Sequence, residues 1–265
     1  MVTMSAAAPD LSDPALGVLL ADIAEEAADL ILPLWRSGLT VDAKADLSPV
    51  TEADRRAETL ILMRLARWFP DTPVISEEYS SEFGTPDEIA AQFFLVDPLD
   101  GTKAFVRGDP NFTVNIALIV NGRPVEGAVS APATGETWFT RGGGAFKRRA
   151  SQLRARRVRA RPWPAGEAIA LISHTMKPAA MAELISAYGV ATAEPMDSSI
   201  KLARLAEGMA DVYPRVGPTM EWDIAAGHAV LAAAGGRLTT PDGAAFVYGK
   251  AAEGFRNGPF VARGA

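Results

Sequence analysis

An apolar run that leads straight into two carboxylates constrains this chain more than any other feature. Residues 93–96, FFLV, are followed at once by residues 97–102, DPLDGT. The run predicts a buried strand, and two acids at the end of a buried strand raise each other's pKa because like charges lie close together. A bound cation would resolve that conflict. The alternative is a plain turn at Asp100-Gly101, with Asp97 as a helix cap.

The residues that follow this acidic pair suit an anion. Gly101 lets backbone approach a ligand closely because it carries no Cβ. A helical turn beginning at Thr102 would present free backbone N–H groups, which bind phosphate at helix N-termini. The segment therefore predicts a cation and a phosphate at one place.

Composition limits what could hold such a cation. The 265 residues include no cysteine and two histidines, which excludes a disulfide framework, a thiol nucleophile, an iron–sulfur site and a zinc site built only from Cys and His. A metal would have to be held by oxygen. Acids outnumber bases by 32 to 26, a balance that suits a carboxylate site for a hard cation and argues against a nucleic-acid partner.

The sequence indicates neither a membrane nor a secretory route. No apolar run approaches the roughly 20 residues of a membrane helix. Residues 1–10 lack the basic and apolar segments of a secretory signal, and the absence of cysteine fits a reducing compartment. We expect a cytoplasmic protein without a membrane partner.

Periodicity in the first half predicts helices followed by antiparallel strands. Apolar residues recur every three or four positions over residues 14–36 and again over residues 51–69, which Pro70 ends. Strand-like runs cover residues 73–76, 93–96, 112–120, 124–130 and 136–140. Asn121-Gly122 and Thr134-Gly135 separate the later runs and are typical of hairpin turns. We expect an α+β unit containing a meander.

The pattern changes after residue 160 to an alternation of strands and helices. Strand-like runs at residues 168–173 and 211–214 alternate with helical runs at residues 178–188, 197–209 and 222–234. Such alternation indicates an α/β layer. We therefore predict two domains, an N-terminal α+β domain over residues 1–160 and a C-terminal α/β domain over residues 161–265.

A basic stretch, residues 147–161, lies at this boundary and contains eight Lys or Arg and no acid. It could be a patch that binds a polyanion, or a solvated strand or connector. The second interpretation is favoured, because basic runs without aromatic residues are weak indicators of nucleic-acid binding.

Further acids occur where elements begin or end. Glu77 and Glu78 close the run at residues 73–76, and Asp54 stands at the entrance of the second helix. Asp223 follows Trp222 at the start of an Ala- and Gly-rich helix, where its charge suits the helix dipole but where a simple N-cap is the alternative.

Together these motifs resemble the lithium-sensitive, magnesium-dependent phosphomonoesterases, the family that includes inositol monophosphatase and the 3′(2′),5′-bisphosphate nucleotidases. Three motifs mark the family. They are an acidic pair that follows a strand, then the sequence DPxDGT, and further along the chain the sequence WDxAAG. This chain has them in that order at residues 76–78, 97–102 and 222–227. The resemblance covers residues 48–259 and implies a layered αβαβα sandwich with the site between its halves, and a homodimer.

The resemblance also implies a metal site with individual roles. Glu77, Asp97, the Leu99 carbonyl and the Thr102 hydroxyl would bind a first Mg²⁺, and Asp97, Asp100 and Asp223 a second, with two or three ions per site and inhibition by Li⁺. The implied catalytic residues are Asp54, Thr102 and Glu77, with Asp54 orienting and deprotonating the attacking water through its pairing with Thr102. The Gly101 and Thr102 amides would hold the phosphate, and Glu78 would lie outside the metal ligands.

Substrate choice is predicted from the loop before the Trp-Asp motif. Where the inositol enzymes carry a glutamate that binds hydroxyls, this chain has Arg215, and a guanidinium favours an anion. With residues 48–51 and 196–201, this loop resembles the bisphosphate nucleotidases of sulfate assimilation, whose substrate is the small phosphate ester adenosine 3′,5′-bisphosphate. That resemblance places Asp197 and Ser198 at the nucleotide's ribose or phosphate, and Ser173 and His174 near it.

Other interpretations stay open. The same chemistry could act on inositol, sugar or histidinol phosphates, or the acids could form a cation-binding module without turnover. Arg215 could be a surface salt bridge, and His174 could cap a helix. His228 is expected to pack rather than react, and Lys44 and Asp46 lie in a loop to which we assign no direct role.

Overall fold

The computed structural model describes residues 10–37, 41–43, 49–150, 154–174 and 176–265. Its helices in these residues are α1 (Leu16–Ser37), α2 (Glu52–Trp68), α3 (Glu77–Phe83), α4 (Thr102–Val106), α5 (Pro178–Tyr188), α6 (Ile200–Ala206) and α7 (Glu221–Ala233), with a 3₁₀ turn at Ala251–Glu253. Within the described ranges, no helix has the length and apolar character needed to cross a bilayer.

The strands up to residue 158 are β1 (Val41–Ala43), β2 (Pro49–Thr51), β3 (Val74–Ser76), β4 (Gln92–Asp100), β5 (Thr113–Val120), β6 (Arg123–Ala131), β7 (Glu136–Arg141), β8 (Gly144–Arg149) and β9 (Arg156–Val158). The later strands are β10 (Ala168–Ile172), β11 (Val190–Pro195), β12 (Val212–Arg215), β13 (Thr219–Met220), β14 (Arg237–Thr239), β15 (Arg256–Asn257) and β16 (Phe260–Arg263).

The first large sheet has seven strands in the sequential order β3 to β9. Strands β3 and β4 are parallel, and every later neighbour is antiparallel. The predicted hairpin at Asn121-Gly122 is confirmed, because both residues have the positive φ, 49° and 75°, that a tight two-residue turn requires. The predicted meander is therefore the body of this sheet.

The second large sheet has five strands in the order β11-β10-β12-β16-β14. Strand β10 runs parallel to β11 and β12, whereas β16 runs antiparallel to β12 and β14. The sequence predicted the alternation that makes its parallel part. It did not predict β11, β14 or β16, so the sheet is mixed where only an α/β layer was expected.

The helices and sheets alternate in five layers, which confirms the predicted αβαβα sandwich. Helices α1 and α2 bury apolar residues against one face of the first sheet. Helices α6 and α7 lie between the two sheets in an apolar cluster to which both contribute, and α5 packs with residues of the second sheet on its far side. Gly127 of β6 permits the close approach of α7, because a Cβ there would meet the Ala226 carbonyl oxygen at 2.9 Å.

The chain passes from the first sheet to the second near the predicted domain boundary. The first sheet ends at Val158 and the second begins at Ala168, but the apolar layer of α6 and α7 is common to both. The division into domains at residue 160 stays a prediction.

The predicted helix over residues 197–209 is too long at both ends, because α6 covers only Ile200–Ala206. Helix α6 begins at Ile200, because Ser198 adopts a left-handed conformation with φ of 57° that a helix cannot contain. The three residues before α6 form a turn that reaches the candidate site.

Candidate active site

Strands β3 and β4 bring two of the predicted acids side by side. They are parallel and in register, with Ser76 opposite Val96, so the next residues, Glu77 and Asp97, leave the same edge of the sheet. Glu77 begins α3 and Asp97 lies in β4, buried at 1% exposure. Glu77 and Asp97 are 20 positions apart in the chain, but the shared edge of the sheet places them close together.

The DPLDGT segment bends out of β4 to face this edge. Its pairing with β5 shifts between Asp97 and Asp100, and the Leu99 amide donates to Asp97 Oδ1 at 3.0 Å. Gly101 has a φ of 94°, and a Cβ there would lie 3.0 Å from the Asn111 carbonyl oxygen. A glycine is therefore required for the turn into α4, which begins at Thr102 as the sequence predicted.

Helix α7 supplies the last acid from the far end of the chain. Asp223 lies in its first turn, three positions after the N-cap residue Met220, and accepts from the Met220 amide at 2.9 Å. The simpler interpretation, with Asp223 as the N-cap itself, is therefore wrong. Its carboxylate also reaches the sheet edge. Glu77, Asp97 and Asp223 each offer an oxygen, and the three oxygens lie within 4.8 Å of one another.

The negative charges of these buried acids repel one another. Burial and the charges of Glu77, Asp100 and Asp223 raise the pKa of Asp97 well above its ordinary value. Burial, Asp100 and Glu77 likewise raise the pKa of Asp223 well above its usual range, and burial raises that of Asp100 to about 6. Among the described residues, the buried Asp97 Oδ2 has no hydrogen-bond partner. This all-oxygen donor set fits a hard divalent cation such as Mg²⁺.

Asp54 and Thr102 meet next to these acids. Asp54 is buried in the first turn of α2, and the Thr102 hydroxyl lies 3.2 Å from Asp54 Oδ1 and 3.2 Å from the Leu99 carbonyl oxygen. The structure therefore brings together the pair to which the resemblance assigned the attacking water. Their roles stay predictions.

Glu58 is a residue that the sequence analysis missed. It lies one turn after Asp54 on the buried face of α2, and its Oε1 accepts from the backbone amides of Glu78 at 2.9 Å and Tyr79 at 3.2 Å. It thereby holds the first turn of α3, which carries Glu77. The signal was present in the sequence, since two acids four positions apart on the apolar face of a helix are unusual.

A pocket of about 660 Å³ opens over the acids. The predicted site residues that line it are Glu77, Asp97, Leu99, Asp100, Gly101, Thr102, Ser173, Asp197, Ser198, Arg215 and Asp223. Asp54 and His174 were predicted at the site but are not among its lining residues. The pocket is therefore bounded by loops of both sheets.

Two of the predicted substrate residues have protein partners at the rim. Asp197 Oδ2 lies 2.6 Å from Arg107 Nη2 and 3.9 Å from His174 Nε2. Arg215 folds back on its own loop, donating to the Gly217 and Pro218 carbonyl oxygens at 3.2 Å each. Both side chains stand at the pocket with their charges available to a ligand that displaces or joins these contacts.

Lys201 is a second residue that the sequence analysis assigned no role. It lines the pocket yet is buried at 3% exposure, and its Nζ donates to the carbonyl oxygens of Met196 at 3.0 Å and Ser198 at 2.6 Å. Burial lowers the pKa of Lys201 to about 8, although the charge of Asp100 opposes that shift. Lys201 is the last residue of the 196–201 motif, but nothing in the sequence showed that its side chain would be buried.

Three residues mentioned in the sequence analysis remain, namely His228, Lys44 and Asp46. His228 packs as expected: its Nδ1 lies 3.0 Å from the Tyr248 hydroxyl, and burial lowers its pKa to about 4, so the ring is neutral. Lys44 and Asp46 lie outside the described residues.

Comparison with known proteins agrees with this arrangement. The chain matches the inositol monophosphatase family over residues 16–259. It is 40% identical to the 3′(2′),5′-bisphosphate nucleotidase CysQ of Escherichia coli K12 over 82% of this chain and 87% of that protein. It is 35% identical to a histidinol-phosphatase of Mycobacterium tuberculosis over 91% and 92% of the two chains.

A solved structure agrees with both fold and family. CysQ of Bacteroides thetaiotaomicron, described as a bacterial member of the inositol monophosphatase family, superposes with a TM-score of 0.76 and 32% identity, covering 96% of this chain and 99% of that one. By the extent of the family match and by these relatives, the chain belongs to the inositol monophosphatase family.

Proposed function

We propose that this protein is a Mg²⁺-dependent 3′(2′),5′-bisphosphate nucleotidase that hydrolyses the 3′-phosphate of adenosine 3′,5′-bisphosphate to AMP and phosphate. The observation that carries the chemistry is the convergence of Glu77, Asp97 and Asp223 within 4.8 Å, under a pocket that Asp100 and Thr102 also line. The Escherichia coli relative, which is named as a bisphosphate nucleotidase, supports the substrate class.

The metal ligands in this proposal are those that the resemblance implied. Glu77, Asp97, the Leu99 carbonyl and the Thr102 hydroxyl would hold one Mg²⁺, and Asp97, Asp100 and Asp223 a second. When bound, Mg²⁺ lowers the pKa of water, neutralises phosphate charge and stabilises a leaving oxygen. The unpartnered oxygen of Asp97 and the raised pKa values of Asp97 and Asp223 support this assignment, because a bound cation would coordinate the free oxygen and relieve the repulsion between the acids.

Asp54 would accept the proton of the attacking water. Its carboxylate is buried and hydrogen-bonded at 3.2 Å by Thr102, which lines the pocket. The backbone amides of Gly101 and Thr102 would bind the phosphate, at the turn into α4 that lines the pocket.

Arg215 would favour a nucleotide that carries a second phosphate over a polyol phosphate that has only one. Its guanidinium lines the pocket and makes its hydrogen bonds to two carbonyl oxygens, so its charge is not neutralised by an acid in those bonds. A second phosphate could accept from it in a bidentate manner. Histidinol phosphate is the second candidate, because the M. tuberculosis relative carries that name.

A substrate panel tests the proposal. Purified protein would be assayed with Mg²⁺ against adenosine 3′,5′-bisphosphate, its 5′-phosphosulfate form, inositol 1-phosphate and histidinol phosphate, with Li⁺ as inhibitor. We expect kcat/KM for the nucleotides to exceed that for the other esters by at least about 10-fold, as one good charge-assisted contact allows. Faster hydrolysis of inositol or histidinol phosphate would disprove the substrate assignment. Mg²⁺ binding without any hydrolysis would identify a cation-binding module instead.

A further inference from the structure

We propose that a basic cavity beside strands β8 and β9 is a second ligand site, which binds a compact multivalent anion of the phosphate type. In the part of the chain that the structure describes, the residues that line this cavity are Lys147, Arg148, Arg149 and Arg156. All four are cationic, and none of them lines the candidate active site. The proposal therefore does not rest on the proposed function.

The first observation is an excess of positive charge at the cavity. Two buried carboxylates, those of Glu136 and Glu207, are shared by four cations, Lys147, Arg149, Arg156 and Arg204. Within the described ranges these four cations form no ion pair with any other acid, so the network has two more positive charges than negative ones. Arg148 belongs to a separate group with Asp22 and Glu25 of α1.

The second observation is that two of these cations have donors to spare. Arg149 and Arg156 are more than half exposed, at 56% and 64% of their side chains. Each makes one side-chain hydrogen bond in the described residues, from Nη2 to a carboxylate oxygen at 2.9 Å. A guanidinium carries five N–H donors, so most of theirs are available to a ligand. Guanidinium groups bind phosphate oxygens in a bidentate manner.

The size of the cavity selects a compact anion. Its volume of about 240 Å³ equals that of roughly eight water molecules. It is smaller than the roughly 300–1,000 Å³ of pockets that enclose drug-sized ligands, but a phosphate or pyrophosphate group fits within it. No aromatic side chain is among its described lining residues, whereas sites for single-stranded nucleic acid use aromatic rings on which bases stack. These features favour a small inorganic anion over a nucleic acid.

Protection of a sheet edge is the alternative explanation of these charges. Strand β9 is the last strand of the first sheet, and charged side chains on an edge strand prevent pairing with another chain. That role would explain Arg156. It does not explain Arg149, which lies on β8 between two neighbouring strands, or the buried ammonium of Lys147 in the wall of a cavity.

Titration calorimetry with sodium pyrophosphate tests the proposal. The full chain would be titrated in EDTA and physiological salt, so that no divalent cation can hold the anion at the candidate active site. We expect the double variant Arg149→Gln/Arg156→Gln to raise the Kd of pyrophosphate at least about 10-fold, because two charge-assisted contacts are lost. The variant should fold, since Lys147 and Arg204 still contact both buried acids.

The double variant Arg141→Gln/Arg157→Gln is the matched control. It removes the same charge from two exposed arginines, one of them next to Arg156 in β9, and neither lines the cavity. We expect its Kd to stay within about 2-fold of wild type, because salt screens exposed charges outside the site. Equal weakening in both double variants would show a general attraction of anions and would overturn the proposal. Weakening in Arg215→Gln alone would place the anion in the candidate active site, with the same consequence.

Thermal unfolding supplies a second readout. A ligand that binds only the folded protein raises its Tm, so pyrophosphate should raise the Tm of wild type and of the control but not that of Arg149→Gln/Arg156→Gln. A folded wild type that binds no pyrophosphate would overturn the proposal and leave edge protection as the role of these charges. Binding of a DNA duplex through Arg149 and Arg156, without binding of pyrophosphate, would overturn it in favour of a nucleic-acid partner. A wild type that hydrolyses no ester would overturn the proposed function alone.

Discussion

Two charged regions of this molecule differ in how their charges are paired. In the basic stretch, residues 147–161, Lys147 contacts the buried carboxylates of Glu136 at 2.7 Å and Glu207 at 2.8 Å. Arg149 also contacts Glu136, and Arg156 contacts Glu207, at 2.9 Å each. In the pocket, by contrast, acids face other acids. The described part of the first region is an ion-pair network on β8 and β9 in which Lys147 is buried, so the prediction of a solvated strand does not hold at that residue. The second region is a candidate ligand site.

The pKa values express this difference. Burial acts to raise the pKa of Glu136, but hydrogen bonds from Lys147 and Arg149 and the charge of Arg204 lower it to about 2. Burial raises the pKa of Asp97, and there the neighbouring acids raise it further. A buried acid whose neighbours stabilise its charge serves the fold, whereas one whose neighbours destabilise it is a candidate for function.

Asp97→Asn should separate activity from stability most strongly. It removes a carboxylate that we place in both metal sites, so we expect kcat to fall about 10³-fold, equivalent to several kcal/mol of lost metal-ion stabilisation. Without Mg²⁺ the free energy of unfolding should rise by about 1 kcal/mol, because like-charge repulsion is relieved. Assays with Mg²⁺ and urea unfolding in EDTA measure the two effects. A less stable variant would contradict the charge conflict described for the pocket.

Asp54→Asn should remove catalysis and leave the metal. Asparagine keeps the size of the side chain and can still accept from Thr102, but it cannot take a proton. We expect kcat to fall about 10²- to 10³-fold, the usual contribution of a general base. Mg²⁺ affinity by calorimetry should stay within 2-fold of wild type. Unchanged turnover would exclude Asp54 from the mechanism.

Lys147→Met should give the reverse pattern in the ion-pair network. Its ammonium bonds two carboxylates that are nearly inaccessible to solvent, and its loss leaves Arg204 in contact with both, at 3.0 Å from Glu136 and 2.6 Å from Glu207. We expect the free energy of unfolding to fall by about 2 kcal/mol, less than for a fully broken buried pair. Urea unfolding measures this loss, and kcat serves as the control. A loss of kcat in folded protein would mean that the two regions are coupled.

Local patterns in the sequence predicted most of the first sheet and little of the second. Strands β5 to β7 follow one another through short turns such as Asn121-Gly122, so their pairing is a local property of the chain. Strand β16 instead inserts between β12 and β14, pairing Phe260 with Arg215. Pairing at such long range depends on tertiary packing, which no window of sequence contains.

The candidate site shows the same difference between residues that local sequence patterns predicted and residues that depend on long-range packing. Asp97, Asp100 and Asp223 lie within recognisable motifs, so each could be identified from the sequence. The partners that hold them could not: Ser199 and Asp100 are 99 positions apart, and Lys201 is recognisable as buried only after the turn at Ser198 covers it. Glu58 is intermediate, because its position four residues after Asp54 was visible but its acceptors in α3 were not.

Glu58→Ala tests whether an acid can belong to both kinds of region. Burial raises the pKa of Glu58, as in the pocket, yet hydrogen bonds from Ser76, Tyr79 and Glu78 oppose that shift, as in the ion-pair network. Alanine leaves the amides of Glu78 and Tyr79 without this acceptor and loosens the turn that carries Glu77. We expect kcat/KM to fall about 10-fold and the free energy of unfolding to fall by about 1 kcal/mol, the contribution of hydrogen bonds of this kind.

Glu58→Gln is the matched control for this last prediction. Glutamine keeps an acceptor oxygen in the same place and removes the buried charge, so we expect activity within about 3-fold of wild type and no loss of stability. Calorimetry with Mg²⁺ completes the test, since a loosened Glu77 should weaken binding in Glu58→Ala alone. If Glu58→Gln were as impaired as Glu58→Ala, the charge itself would be needed, and Glu58 would act with the acids of the pocket rather than as a support for α3.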